Sequence, residues 1–365
     1  MFPAKTYGLF LLTLVLCPIL AHAGKPLSKY TVLEPIHSGN LAIYPVISGS
    51  THDTSAFLTL DEGIRSGVVV VTETGQISGL IRRPGQRPVQ DSAGTVNRLV
   101  LINNSDRPLL LLAGEIVTGG KQDRVIGADR IVPPGSEPVD LSVFCVEPGR
   151  WVARSDNFSS MDGQMAQPSI RMPAMAKKSQ SEVWDSVRES NGNAAIAAPA
   201  AAPIIAGTTS HAGVMQNGDV RRKIESVAAP IDRDYSRVIR QLKQQNAVGV
   251  VVAVNGRLVW ADVFASTELL QDYWPKLIRS YAAEAVTGRF YKSQIGQANA
   301  QDFIDSLGGN REVVETEPGI FRRAEITGDG YKVFALTSLL PKTDFTVHLA
   351  KMTEERQGKV VPMTD

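Results

Sequence analysis

Two dense knots of charge lie beside glycines at the ends of apolar runs: Gly114-Glu115-Ile116-Val117-Thr118-Gly119-Gly120-Lys121-Gln122-Asp123-Arg124 and Cys145-Val146-Glu147-Pro148-Gly149-Arg150-Trp151. Polar groups at the ends of buried strands must find partners or a ligand. Glu115, Lys121, Gln122, Arg124, Glu147 and Arg150 are therefore the candidate ligand-binding residues, with no catalytic residue assigned. Glycine permits positive φ and close approach, so Gly119-Gly120 could turn backbone N–H groups outward while Lys121, Arg124 and Arg150 meet a carboxylate, phosphate or sulfate. The same charges could instead close the strand ends without a ligand, Glu115 and Glu147 pairing with Lys121, Arg124 and Arg150. A third chemistry is hydrolysis of a phosphorylated, glycosidic or ADP-ribosyl substrate, with one glutamic acid and one glutamate as acid and base.

Other chemistries find no support. Gly114 is one residue too far from Gly120-Lys121 for a phosphate loop, and Gln122 stands where a hydroxyl residue would hold magnesium. His37, His52, His211 and His348 are scattered, without H-E-x-x-H or C-x-x-C, so neither a metal nor another cofactor is expected. The serine-hydrolase elbow G-x-S-x-G is missing. His348, inside Phe345-Thr346-Val347-His348-Leu349, reads as a satisfied strand residue, and Asp262 as a cap or turn bond near Ser266 and Thr267.

The elements that would hold these residues follow from composition and periodicity. With 365 residues and 43% hydrophobic content the chain folds, and a net charge of +1 gives no overall field for nucleic acid or an anionic membrane. Lys5, the apolar run Tyr7 to Leu20 and Ala21-His22-Ala23 predict a signal peptide over residues 1–23, and hence a periplasmic or secreted product. That run is shorter than the ~20 residues that span a bilayer, and no later segment is expected to cross one. Cys17 would leave with the signal, so Cys145 would remain alone, a small buried hydrophobe rather than a nucleophile.

Residues 27–152 read as β-rich, with short runs of Val, Ile and Leu separated by turn residues, the pattern of a sandwich-like sheet. Leu99 to Ile102 and Leu109 to Leu112 flank turn chemistry suited to an antiparallel pair. Residues 153–229, rich in Met, Gln, Ser and Ala, read as a flexible connection with one short helix from Gln180 to Arg188. In residues 230–352, Asp234 to Gln245 has helical spacing, and Asn255-Gly256 joins Ala247 to Val254 with Leu258 to Phe264 as a hairpin. A two-residue turn would put Val251 with Trp260, and Val252 with Val259, so both faces need cover. Leu269 to Ala282 forms an apolar helical stripe that Pro275 should kink or restart. Residues 353–365 read as a disordered tail. The fold class is α+β, an antiparallel sandwich-like sheet followed by a hairpin-and-helix α/β unit packed on it.

Gly114-Glu115 with Gly120-Lys121-Gln122-Asp123-Arg124, then Val132-Pro133-Pro134-Gly135 and Cys145 to Trp151, resembles the bacterial ARG and rhodanese-phosphatase-superfamily-associated protein domain. Ser155 to Ser160, Val183 to Val187, Trp260 to Phe264, the Trp274 to Ala285 helix and Val347-His348-Leu349 follow in the same order, over roughly residues 28 to 351. The resemblance implies a bacterial source and a domain named for its neighbours, and it brings no catalytic residues. This chain has Thr118-Gly119 where a Val-Gly pair is commoner, and a longer Ala/Pro-rich insert before Gly218. The expected function is a binding or interaction domain for a small anionic molecule, with hydrolysis as the alternative and no protein partner identified.

Overall fold

The computed structural model describes residues 29–73, 99–150, 154–241, 245–288 and 295–354. The predicted signal peptide, Trp151 and nearly all of the predicted tail lie outside these residues. The fold is α+β, as the patterning requires.

In chain order the first strands are β1 (Tyr30–Val32), β2 (Ile36–Ser38), β3 (Leu41–Ser48) and β4 (Leu58–Thr59), then helix α1 (Leu60–Arg65) and strand β5 (Val69–Glu73). Next come β6 (Leu99–Asn103), β7 (Leu109–Leu111), β8 (Glu115–Thr118), β9 (Arg124–Ile126), β10 (Arg130–Val132), β11 (Val139–Leu141), β12 (Val143–Cys145) and β13 (Ser159–Met165). Helices α2 (Pro168–Met172), α3 (Gln180–Ala197), α4 (Ala202–Ala206), α5 (His211–Gln216) and α6 (Gly218–Gln241) follow. The chain closes with β14 (Ala247–Val254), β15 (Arg257–Phe264), α7 (Thr267–Thr287), α8 (Gln297–Asp305), β16 (Arg311–Glu317), β17 (Phe321–Thr327), β18 (Tyr331–Ser338) and β19 (Thr346–Thr353).

Three small sheets, β4-β7-β10, β5-β6-β11 and β8-β9-β12 with β13, enclose one core in which Leu99, Leu101, Leu109, Leu111, Ile126 and Phe158 meet. The expected pairing of Leu99–Ile102 with Leu109–Leu112 does not form. β6 pairs with β5 and β11, and β7 with β4 and β10. The Asn103 amide donates to the carbonyls of Arg107 and Val132, so the intervening turn becomes a corner between sheets rather than a hairpin.

The large sheet runs β1-β3-β14-β15-β19-β18-β17-β16, with β2 also on β3, and all its pairs are antiparallel. β1 to β3 thus leave the β-rich stretch that contains them and add to the C-terminal hairpin. β14 is buried at every position. Val250 and Val252 pack with α7, and Val251 and Ala253 with Ala300 and Ile304 of α8, so both faces are covered as expected. Asn255 (φ 53) and Gly256 (φ 70) make the predicted two-residue turn. A bulge at Val259, opposite the Val252–Ala253 step, shifts the register, however, so Trp260 faces Val252 and not Val251.

The segment expected to be flexible is helical. Alanine is the best helix former, and Pro199 and Pro203 fall in first turns, where no N–H is needed. Ala194, Ala198 and Ala201 are buried, so the short side chains allow close packing. The predicted Gln180 to Arg188 helix is the first half of α3, and the predicted Asp234 to Gln245 helix falls largely in the last turns of α6. α7 runs on through Pro275. Among the described residues no helix is long and apolar enough to cross a membrane.

Candidate functional site

The two knots do meet. The β8–β9 turn and the segment after β12 are tied where Val146 N–H donates to Asp123 O at 3.0 Å. Arg150 is the centre: its Nε donates to Glu147 Oε2 at 2.7 Å, Nη1 to Gly120 O at 2.7 Å, and Nη2 lies 3.3 Å from both Gly119 O and Asp123 Oδ1. Arg154 reaches Glu147 Oε1 at 3.4 Å, with 58% of its side chain exposed. Asp123 also accepts from Ser210 Oγ at 3.1 Å, which pins the start of α5 to the knot. Burial first, then the neighbouring Glu147, pushes the Asp123 carboxyl up, against hydrogen bonds from Gly119 and Ser210 and the charge of Arg150.

The glycines serve packing and internal pairing. Gly119 (φ 143) and Gly120 (φ 46) both need the left-handed region, and a Cβ on Gly120 would enter the Phe158 ring. The Gly119 N–H, expected to point outward, points inward instead. Gly119 N–H donates to Asp123 Oδ1 at 3.2 Å and Lys121 N–H to Glu73 Oε1 at 2.8 Å, so carboxylates of the chain already fill the turn. The Lys121 side chain is half-buried.

Gln122 and Arg124 are fully buried. Arg124 Nη1 lies 3.3 Å from Gln122 Oε1, and burial pushes its guanidinium down. The Gln122 amide nitrogen, also buried, has no hydrogen-bond partner among the described residues. Cys145, beside them on β12, is a buried free thiol that burial pushes up, the behaviour of a core residue.

Glu115 does not belong to this group. It begins β8, pairs with Lys276 Nζ of α7 at 2.7 Å and accepts from Leu112 N–H at 2.8 Å, while Lys276 also meets Asp61 of α1 at 2.7 Å. Of the six expected site residues, the fold gathers Lys121, Gln122, Arg124, Glu147 and Arg150 and sends Glu115 to a separate buried pair.

A second cluster, which sequence spacing does not reveal, crosses the core. Asp129 Oδ2 meets His348 Nδ1 at 2.6 Å, and His348 Nε2 meets Asp262 Oδ1 at 3.1 Å. Asp262 is bidentate with Arg171 of α2 (3.0 and 3.2 Å) and accepts from the Tyr281 hydroxyl of α7. The Arg171 guanidinium also lies 4.3 Å over the Trp260 ring. Asp262 is therefore not a cap or turn residue; Ser266 caps α7, its hydroxyl accepting from Leu269 N–H at 3.0 Å. His348 is satisfied in its strand, as expected.

Burial opposes charge throughout this network, but pairing wins. Arg171 and His348 hold the Asp262 carboxyl far below the usual carboxylate range, and Asp129 and Asp262 push His348 up to about 9. Gly114 is explained here too, since a Cβ would come within 2.6 Å of the Arg171 side chain. Arg171, Asp129 and Tyr281 have no motif to announce them. The signal available was a lone Asp and a lone His inside two strands, Trp260 to Phe264 and Phe345 to Leu349, that are otherwise largely apolar. At one end the network reaches a recess between the β9–β10 turn and β16 to β18, lined by Asp129, Met175, Lys178, Arg323, Glu325 and Phe334.

A family model, the ARG and Rhodanese-Phosphatase-superfamily-associated Protein domain, matches residues 29–352. The chain belongs to that family. No curated protein and no solved structure matches it.

Proposed function

We propose that this is a binding or interaction protein whose ligand is a small anion, recognised at the knot around Arg150. The observation that carries this reading is the buried Gln122 amide, a donor without an acceptor among the described residues, beside Arg124 in the segment that Arg150 ties to Glu147. Arg150 pairs with Asp123 and Glu147, Arg154 also reaches Glu147, and Glu73 accepts from the Lys121 backbone N–H. A buried donor left unsatisfied costs about 1–3 kcal/mol, and an oxyanion that reached it would recover that. Arg154 and Lys121 form the accessible rim. Phosphate, ADP-ribose, nucleotides and sugar acids, screened by thermal shift, should include at least one that raises the melting temperature of wild type and not of the Lys121→Ala/Arg154→Ala double variant. Equal shifts in both proteins, or none in either, would defeat the reading. We propose export as well, with cleavage near Ala23, which the intact mass of the protein recovered from cells would check.

Hydrolysis is the second reading, and its favouring observation is different. Glu115 and Glu147 sit in separate clusters and cannot work as one acid–base pair, whereas Asp129, backed by His348, opens on a partly apolar recess. Turnover of a phosphorylated, glycosidic or ADP-ribosyl substrate that disappears in a folded Asp129→Asn variant would favour it over simple binding.

A further inference from the structure

The large sheet ends in two very different edges. At β1 the free edge is covered: Gln301 of α8 accepts from Val32 N–H at 2.8 Å and donates to Tyr30 O at 3.0 Å, and Gln297 donates to Val32 O at 2.8 Å. Side-chain amides there take the place of a neighbouring strand. At the other end, β16 pairs with β17 in unbroken register from Arg311↔Thr327 to Glu317↔Phe321, and no described strand lies beyond it. Six of its seven residues are exposed. Val313 and Val314 show 47% and 50% of their surface, large values for valine in a sheet. Inside β16 there is no proline, lysine or bulge to blunt the edge, and its charges, Arg311, Glu312, Glu315 and Glu317, carry both signs.

The geometry points to β16 as a self-complementary interface, at which a second copy of this chain adds its own β16 antiparallel and extends the sheet. Charge and the length of strand engaged together select one register. A twofold axis at Val314 engages the whole strand and sets Arg311 opposite the second copy's Glu317 twice, Glu312 opposite Thr316, Val313 opposite Glu315, and Val314 opposite itself. Moving the axis one residue to Glu315 opposes that residue to itself, and like charges directly opposite destabilise a strand pair, while moving it to Val313 keeps Arg311 opposite Glu315 but leaves Thr316 and Glu317 unpaired. One oxygen of Glu317 already meets Arg130 at 2.8 Å, which holds the carboxylate in place. Val313 and Glu315 also border recesses against the β9–β10 turn, so the second copy would add side chains at their mouths. This inference is independent of the anion reading.

Sedimentation equilibrium of the full chain tests it. Wild type should show a monomer–dimer equilibrium, and Val314→Lys should weaken it at least about tenfold, because two ammonium groups would meet at the axis. Arg311→Glu and Glu317→Arg should each be monomeric alone and should associate when mixed, since each then meets the opposite charge. Thermal unfolding confirms that these surface variants fold. A wild type that stays monomeric at high concentration, a dimer indifferent to Val314→Lys, or a monomer whose β16 amides gain exchange protection only with an added extended peptide would each overturn self-pairing.

Discussion

The knot around Arg150 and the network around Asp262 are built from the same residue types, yet they sit at opposite ends of accessibility. Arg171, Asp262 and His348 are wholly sealed and their charges are matched, whereas the knot keeps an exposed Arg154 and a half-buried Lys121; among the described residues both contain a buried donor without a partner, Arg171 Nε in the one and the Gln122 amide in the other. The difference is one of reference state. A sealed pair has already lost its hydration, so removing one partner strands the other, while a rim charge returns to water at little cost. Charged clusters in this fold therefore divide into braces and contact points, and exposure separates them.

The comparison is most easily broken at Asp262. Replacing it with alanine leaves Arg171 buried without its counter-charge and His348 with Asp129 alone, and about 3–5 kcal/mol of stability should go, read by urea unfolding. A loss below about 1 kcal/mol would mean that the sealed network is not a brace.

An intermediate effect is expected from pH. His348 keeps its proton in the folded chain up to about 9, against an ordinary 6.5, so the stability it brings is complete below about pH 6.5 and is lost as pH rises through 9. His211, bonded to Asn191 at 3.2 Å, is the opposite case: burial pushes it down to about 4, so its contribution is complete above about pH 6.5 and is lost as pH falls towards 4. Melting temperature against pH should fall on both sides. His348→Gln should flatten the alkaline limb and His211→Gln the acid limb; unchanged limbs would place the titration elsewhere.

The smallest effect belongs to the rim. Arg154→Ala should cost no more than about 0.5–1 kcal/mol of stability, since Arg154 itself is exposed and Glu147 keeps Arg150, and should still blunt the thermal response to an anion. A larger stability loss would make the knot a second brace and sharpen the case against a ligand there.

Much of the fold was legible because it rests on local chemistry. Asn255-Gly256 specifies its turn wherever it occurs between β-rich runs, and the stripe from Leu269 to Ala282 specifies a buried helix face. The alanine-rich segment misled because low complexity resembles a linker, although alanine favours helix and packs closely. The hairpin bulge was hidden because one inserted residue leaves no mark in the apolar run from Leu258 to Ala261.

The sequence by itself determined which residues are too polar to be buried alone, and it located the two knots that lean on one another. Only the tertiary structure decided their partners. Asp129, Arg171, Asp262 and His348 come from four separate stretches of chain, and Glu115 finds Lys276 far along the sequence, because strand crossovers and helix packing set those distances. Ion pairs of long sequence separation obey geometry that no spacing encodes, which is why the glutamate nearest the first glycine left the site that its position suggested.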